Sequence, residues 1–264
     1  MALNVSVQGA ETSDRKGRIV LTESVGRGCR HIRVEIESGC CRPDPGQFFL
    51  IRERGVFDPL LGRPLAPIAS SNNSLDFLFR IVGRGTSHMA SLPPGTEVDL
   101  RGPCGRGFPG PVKRRLILVS GSLGIAPFLD ASARYRDKME VTVILGVPGN
   151  GWEEFAKWCS SRVPGLRITS DDGTLGNRGN AVEEALSVIE PGDEVWGCGP
   201  NAMLRELGHL FKIGSGRILV SLESRMACGI GGCLGCSLPT ATGMKRVCVD
   251  GPVFEWQEIF PNAW

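Results

Sequence analysis

Three cysteines and four glycines fall within the nine residues CGIGGCLGC, residues 228–236, and a fourth cysteine, Cys248, follows after eleven more. Thiols arranged as Cys228-x4-Cys233-x2-Cys236-x11-Cys248 suit three chemistries: disulfide closure, zinc binding or iron–sulfur ligation. Gly229, Gly231, Gly232 and Gly235 give the backbone freedom to turn the thiols toward a common centre. They also leave N–H groups free to hydrogen-bond sulfur.

Compartment argues against disulfides. The opening residues MALNVSVQGAETSDRKGRIV show no basic start, continuous apolar core or small-residue cleavage site, so a cytoplasmic protein with reduced thiols is expected. A zinc ribbon presents two short-spaced pairs, and the second pair is missing here. The Cys-x4-Cys-x2-Cys run with a distant fourth thiol matches the spacing of plant-type [2Fe–2S] proteins, so Cys228, Cys233, Cys236 and Cys248 are the expected metal ligands. Zinc stays open as the rival, because tetrahedral thiolate ligation suits both metals. Cys29, Cys40, Cys41, Cys104 and Cys159 have no such spacing and receive no chemistry. His31, His88 and His209 are scattered, and no Ser-His-Asp or paired-carboxylate arrangement stands out.

Further chemistry lies in short loops. In RLILVSGSLGIAPFL a buried strand ends at Ser120, and a turn with Gly121 and Gly124 leads into a helix with Pro127 in its first turn. Such a turn brings backbone N–H groups and the positive end of a helix dipole to a phosphate. TSDDGTLGNRG, with Asp171 and Asp172, and GCGP, with Cys198, Gly199 and Pro200, follow other strands. Both loops therefore belong at the same carboxyl edge of a sheet, where dinucleotides bind. Cys198 is either a space-filling buried thiol or a group beside a nicotinamide ring. Earlier in the chain, GRPLAPIAS carries Arg63 and IVGRGTSHM carries Gly85 and Thr86. Arginine forks, glycine N–H groups and a threonine hydroxyl are phosphate-binding donors.

The elements that must position these residues fall into two patterns. The segments RIVLTESV, HIRVEIES, QFFLIRE, LDFLFRIVG and TEVDLRGP read as antiparallel β, and a closed barrel of about six strands removes their edges. GFPGPV breaks the pattern at residues 109–112. Beyond it, uniformly apolar strands such as RLILVSG and VTVILGV alternate with helices, predicting a parallel sheet covered by helices. The expected division is a β-barrel domain at 1–110, an α/β domain at 111–223 and a cysteine segment at 224–264. Formal net charge is only +2 and no apolar run reaches the ~18 residues of a membrane span. Neither a nucleic-acid surface nor a membrane is therefore expected as a partner.

An Arg-Pro loop on a barrel, followed by a glycine turn and a CGP loop on an α/β domain, resembles the ferredoxin–NADP reductase superfamily. ESRMACGIGGCLGCSLP followed by RVCVDGPVF resembles the cluster domain of dihydroorotate dehydrogenase B electron transfer subunits. The resemblance implies a six-stranded antiparallel flavin-binding barrel, a parallel-sheet nucleotide-binding domain and a C-terminal [2Fe–2S] segment. It places FAD on Arg63, Pro64, Leu65, Ala66, Gly85 and Thr86. NAD(H) falls on Gly121, Ser122, Gly124, Ile125, Ala126, Pro127, Asp171, Asp172, Gly199 and Pro200, with Cys198 beside the reacting rings. Leu65 replaces a usual aromatic or β-branched residue, Ala66 a usual serine, and Ser122 a usual glycine. The implied activity is electron transfer from nicotinamide through flavin to the cluster, and the implied partner is a flavin-containing catalytic dehydrogenase subunit. The same module serving sulfite reductase, hydrogenase or an electron-bifurcating reductase, and a flavin-free zinc scaffold, are the competing readings.

Overall fold

The protein is described by a computed structural model covering residues 12–37, 42–214 and 216–261, which leaves Cys40 and Cys41 outside the described residues. The first sheet contains β1 (Ser13–Ser24), β2 (Cys29–Ile36), β3 (Phe48–Glu53), β4 (Arg63–Leu65), β5 (Pro67–Ser70), β6 (Ser74–Arg80) and β7 (Glu97–Cys104). Its antiparallel order is β4-β3-β7-β1-β2-β6-β5. The two ends of that order, β4 and β5, are separated in the chain by Ala66 alone. One bent segment thus pairs with β3 on one side and β6 on the other, and the sheet rolls into a barrel. Counting that segment once recovers the six expected strands. Pro64 and Pro67 remove ladder donors at the bend, which is where a barrel tolerates them. Alternating residues Ile32, Val34 and Ile36 of β2 point inward and meet Ile19, Phe49 and Phe77.

The GRGTSHM segment, which the sequence presents as a loop, instead begins helix α1 (Arg84–Ser91). The Thr86 hydroxyl accepts the N–H groups of Val82 and Gly83 at 2.9 and 3.2 Å, closing the helix start. Met89 and Leu92 at the other end pack into the barrel core.

The second sheet is built from β8 (Arg115–Gly121), α2 (Ala126–Tyr135), β9 (Glu140–Val147), α3 (Glu153–Ser160), β10 (Arg167–Ser170), β11 (Asn177–Arg178), α4 (Ala181–Val188), β12 (Glu194–Cys198), α5 (Asn201–Glu206) and β13 (Arg217–Ser221). These strands are parallel in the order β11-β10-β9-β8-β12-β13, so the order reverses between β8 and β12. A crevice at the carboxyl ends of those two strands is the ligand position such sheets dictate. Apolar clusters cover both faces.

The cysteine segment leaves this sheet at Ser221 and returns to it. After the hairpin β14 (Ser237–Thr240) and β15 (Gly243–Arg246), strand β16 (Val253–Glu255) pairs antiparallel with β13, and α6 (Trp256–Ile259) follows. Trp256 is buried and donates Nε1–H to the Leu204 carbonyl at 2.7 Å. In between, Cys236, Val247 and Cys248 pack on Phe48, Leu50 and Cys104 of the barrel. Among the described residues, no helix is long and apolar enough to cross a membrane.

Candidate functional site

A cleft of about 310 Å³ opens where the three parts meet. Pro64, Leu65, Ala66 and Thr86 line it from the barrel, Ala126, Pro127 and Cys198 from the α/β sheet, and Met226 from the cysteine segment. Residues far apart in sequence are thereby brought together. Arg63 and Gly85 meet as well: a Cβ on Gly85 would overlap the Arg63 guanidinium. The α1 start therefore lies beside an arginine fork, a pairing of helix N–H groups and cation suited to a diphosphate.

The two glycine loops of the α/β sheet also touch. A Cβ on Gly124 would collide with the Cys198 carbonyl, and one on Gly121 would lie 2.7 Å from Pro200 Cδ. Glycine at both positions lets the turn after β8 seat against the turn after β12. Ser122 sits in the left-handed region at φ 50°, where glycine is the unstrained choice. Ser120, the other serine of the turn, is buried and donates to the Ile144 carbonyl at 2.7 Å. Burial pushes the Cys198 thiol up to about 12, with Glu223 adding to the rise and a Ser221 hydrogen bond opposing it. Cys198 is therefore a neutral thiol at the cleft floor.

Asp172 lies elsewhere, at the end of β10. Its carboxylate accepts the Asn150 N–H at 2.8 Å and the Thr174 N–H and hydroxyl at 2.9 and 2.7 Å. These bonds hold its pKa down to about 2. Its acceptor capacity ties the β9 and β10 loops together, and Asp171 beside it is exposed. Neither aspartate lines the central cleft.

Several cleft residues escape the sequence reading, among them Arg80, Ser221 and Glu223. Ser221 and Glu223 line it from the end of β13. Glu223 keeps an open face to the cleft, yet surrounding protein desolvates its carboxyl and raises the pKa. The available signal was a polar Ser-x-Glu at the carboxyl end of a buried parallel strand.

Cys236 lies beside Cys248, with 3.2 Å between their Sγ atoms, and Cys228 lies beside the Cys233 backbone, its Sγ accepting the Cys233 N–H at 3.4 Å. Among the described residues, no three His, Cys, Asp or Glu side chains gather around one point as a single ion requires. The Cys-x4-Cys-x2-Cys spacing with a later fourth thiol suits a dinuclear centre with two thiolates on each iron. Burial would raise the Cys228 pKa, but N–H groups of Cys233, Ile230 and Gly232 hold it down to about 7. Burial and the neighbouring Cys236 push Cys248 the other way, and Gly231 N–H donates to its sulfur at 3.2 Å. Gly229 and Gly231 have φ of 70° and 78°, so two of the four glycines are conformationally required. Cys233 is exposed, flanked by Ile230 and Leu234, which are 55% and 61% exposed.

Residues 223–260 match the model of the iron–sulfur cluster binding domain of dihydroorotate dehydrogenase B. The chain is 30% identical to the dihydroorotate dehydrogenase B (NAD(+)) electron transfer subunit of Clostridium perfringens, over 92% of this chain and 97% of that one. It is 34% identical to the same subunit of Geobacillus kaustophilus, over 81% and 86%. Among solved structures, an NADH-dependent reduced ferredoxin–NADP oxidoreductase superposes with a TM-score of 0.77 at 23% identity, covering 96% of this chain and 91% of that one. The ferredoxin NADP+ reductase of Neisseria gonorrhoeae, with bound FAD and NADP, superposes at 0.61 and 16% identity, covering 77% and 93%. These likenesses give the reductase fold, and the sequence relationship over nearly the whole length goes further: the chain belongs to the dihydroorotate dehydrogenase B electron transfer subunits.

Proposed function

We propose that this chain carries electrons between NAD(H), an FAD seated in the central cleft and a [2Fe–2S] centre on the four thiols, and exchanges them with a catalytic dehydrogenase subunit. One observation carries the reading. Phe48 lines the cleft and belongs to the apolar cluster that holds Cys236 and Cys248, and Met226 lines the cleft and packs against that cluster, so the cleft and the thiol cluster share a wall. A flavin takes up a hydride as an electron pair and releases electrons singly, which suits a one-electron acceptor behind that wall.

The chain's residues have separable tasks. Arg63 and the N–H groups at the α1 start bind a diphosphate, while Leu65 and Ala66 offer a ring plane apolar contact. Gly121, Gly124, Gly199 and Pro200 shape the crevice for a nicotinamide nucleotide, and Asp172 braces the outer loops. Neutral Cys198 gives a hydride path a small apolar floor without a competing charge. Buried Phe48 keeps water from the passage between cleft and thiols. Ile230 and Leu234 beside exposed Cys233 give the thiol loop an apolar outer surface for the partner.

The test is an anaerobic visible spectrum of the purified chain before and after NADH. Flavin and iron–sulfur absorption that both bleach are expected. Cluster absorption without flavin, or zinc in place of iron, would overturn the proposal.

A further inference from the structure

Arg101 projects from β7 of the barrel toward the thiol loop. Its Nη1 donates to the Cys228 carbonyl at 3.3 Å, while Nε and Nη2 grip Asp14 Oδ1 and Oδ2 at 2.7 and 2.9 Å. Asp14 and Arg101 are direct cross-strand partners of β1 and β7, so the barrel ladder fixes both. The next residue of the loop, Gly229, lies against the same wall: its ideal Cβ position is 2.8 Å from Leu50 Cδ1 and 3.3 Å from Cys104 Sγ. The first ligand is thus held by barrel residues, with a guanidinium on its peptide and a carboxylate behind that guanidinium. Arg246, beside Gly231 of the loop, is paired within the segment, its Nε 3.3 Å from Asp250.

We propose that the Arg101–Asp14 pair tunes the reduction potential of the centre held by Cys228, Cys233, Cys236 and Cys248, with Arg101 as a positioning residue that acts through the Cys228 peptide. A tetrathiolate centre is anionic and becomes more so when it gains one electron, so a nearby cation favours the reduced form. Asp14 offsets part of that cation. The two residues therefore have opposite effects. A merely structural ion pair would not produce this, since breaking it from either side loosens the same contact. Arg101 and Asp14 are 38% and 69% exposed, so solvent and salt weaken the effect without abolishing it.

The proposal rests on the cluster reading, and the experiment separates the two. Full-length wild type, Arg101→Gln, Arg101→Lys and Asp14→Asn are titrated anaerobically with dithionite and redox mediators at low ionic strength, following the reduced centre by electron paramagnetic resonance. Arg101→Gln is expected to change the reduced-to-oxidised ratio at fixed potential by on the order of tenfold toward oxidised, a fall of about 59 mV for a one-electron couple. Asp14→Asn should raise the potential, and Arg101→Lys should stay near wild type. If Arg101→Gln loses its centre, the rise in Asp14→Asn decides alone. Potentials of Arg101→Gln and Asp14→Asn that coincide with wild type, or move together, overturn the inference. A wild-type chain with no such resonance overturns the cluster reading instead.

Discussion

Replacing Gly229 by alanine should cost far more than the same change at Gly232, although both stand in CGIGGC. Gly229 has φ 70°, and an L-residue there pays about 1–2 kcal/mol. Its Cβ would also press on Leu50 Cδ1 at 2.8 Å and Cys104 Sγ at 3.3 Å, inside a close-packed cluster. Overpacking of that kind adds roughly 1–3 kcal/mol. A total near 3 kcal/mol corresponds to a fall in Tm of about 6–12 °C for a chain of this size. A Cβ on Gly232 meets nothing within 4 Å, so its alanine variant should melt with wild type to within about 2 °C. Thermal unfolding followed by circular dichroism, with iron measured per chain before heating, checks the pair. Equal melting of the two variants would refute the assignment of strain to Gly229 and return the glycines to equivalent spacers.

Other variants probe separate parts. Ser122→Gly relieves the φ of 50° and should raise Tm by about 2–4 °C, corresponding to roughly 1 kcal/mol, in the same melting experiment. Asp172 has a folded pKa of about 2, below the ordinary aspartate value of 3.8. Its stabilisation is therefore fully present above the unfolded pKa and lost as pH falls through the folded one. Asp172→Asn should be less stable than wild type at pH 7, with the gap closing toward pH 2, as read from denaturant midpoints across that range. Cys104 packs with Cys236 and Cys248, but burial pushes its pKa up to about 12 and its thiol donates to the Arg101 carbonyl at 3.5 Å. Cys104→Ser should keep its iron, whereas serine at Cys228, Cys233, Cys236 or Cys248 should lower the iron content measured by metal analysis.

What could be read from the sequence follows from how local each constraint is. Ligand spacing is local, so the four thiols could be recognised from CGIGGCLGC and one later cysteine. Uniform apolar runs such as RLILVSG identified parallel strands, because burial on both faces leaves no alternation. Helix α1 is not legible in the sequence because its start depends on Thr86 reaching back to Val82 and Gly83, which a glycine-flanked GRG conceals. Strand β16 is only three residues long and exists through its pairing with β13, so nothing within VFE announces it. Arg101 was equally hidden, since its contact with Cys228 joins residues 127 positions apart through the β1–β7 register.

The least legible contacts are those that couple the parts. The cysteine segment is fastened to the α/β sheet by β16 and Trp256, and to the barrel by Phe48, Leu50 and Arg101. A thiol loop held from both sides keeps a fixed position relative to the cleft, whereas a loop tethered only at Ser221 could drift from it. Electron transfer across the wall that cleft and thiol cluster share requires that fixed position. The β16 return and the Arg101 contact are therefore as much a part of the proposed route as the four ligands, although neither has a sequence signature of its own.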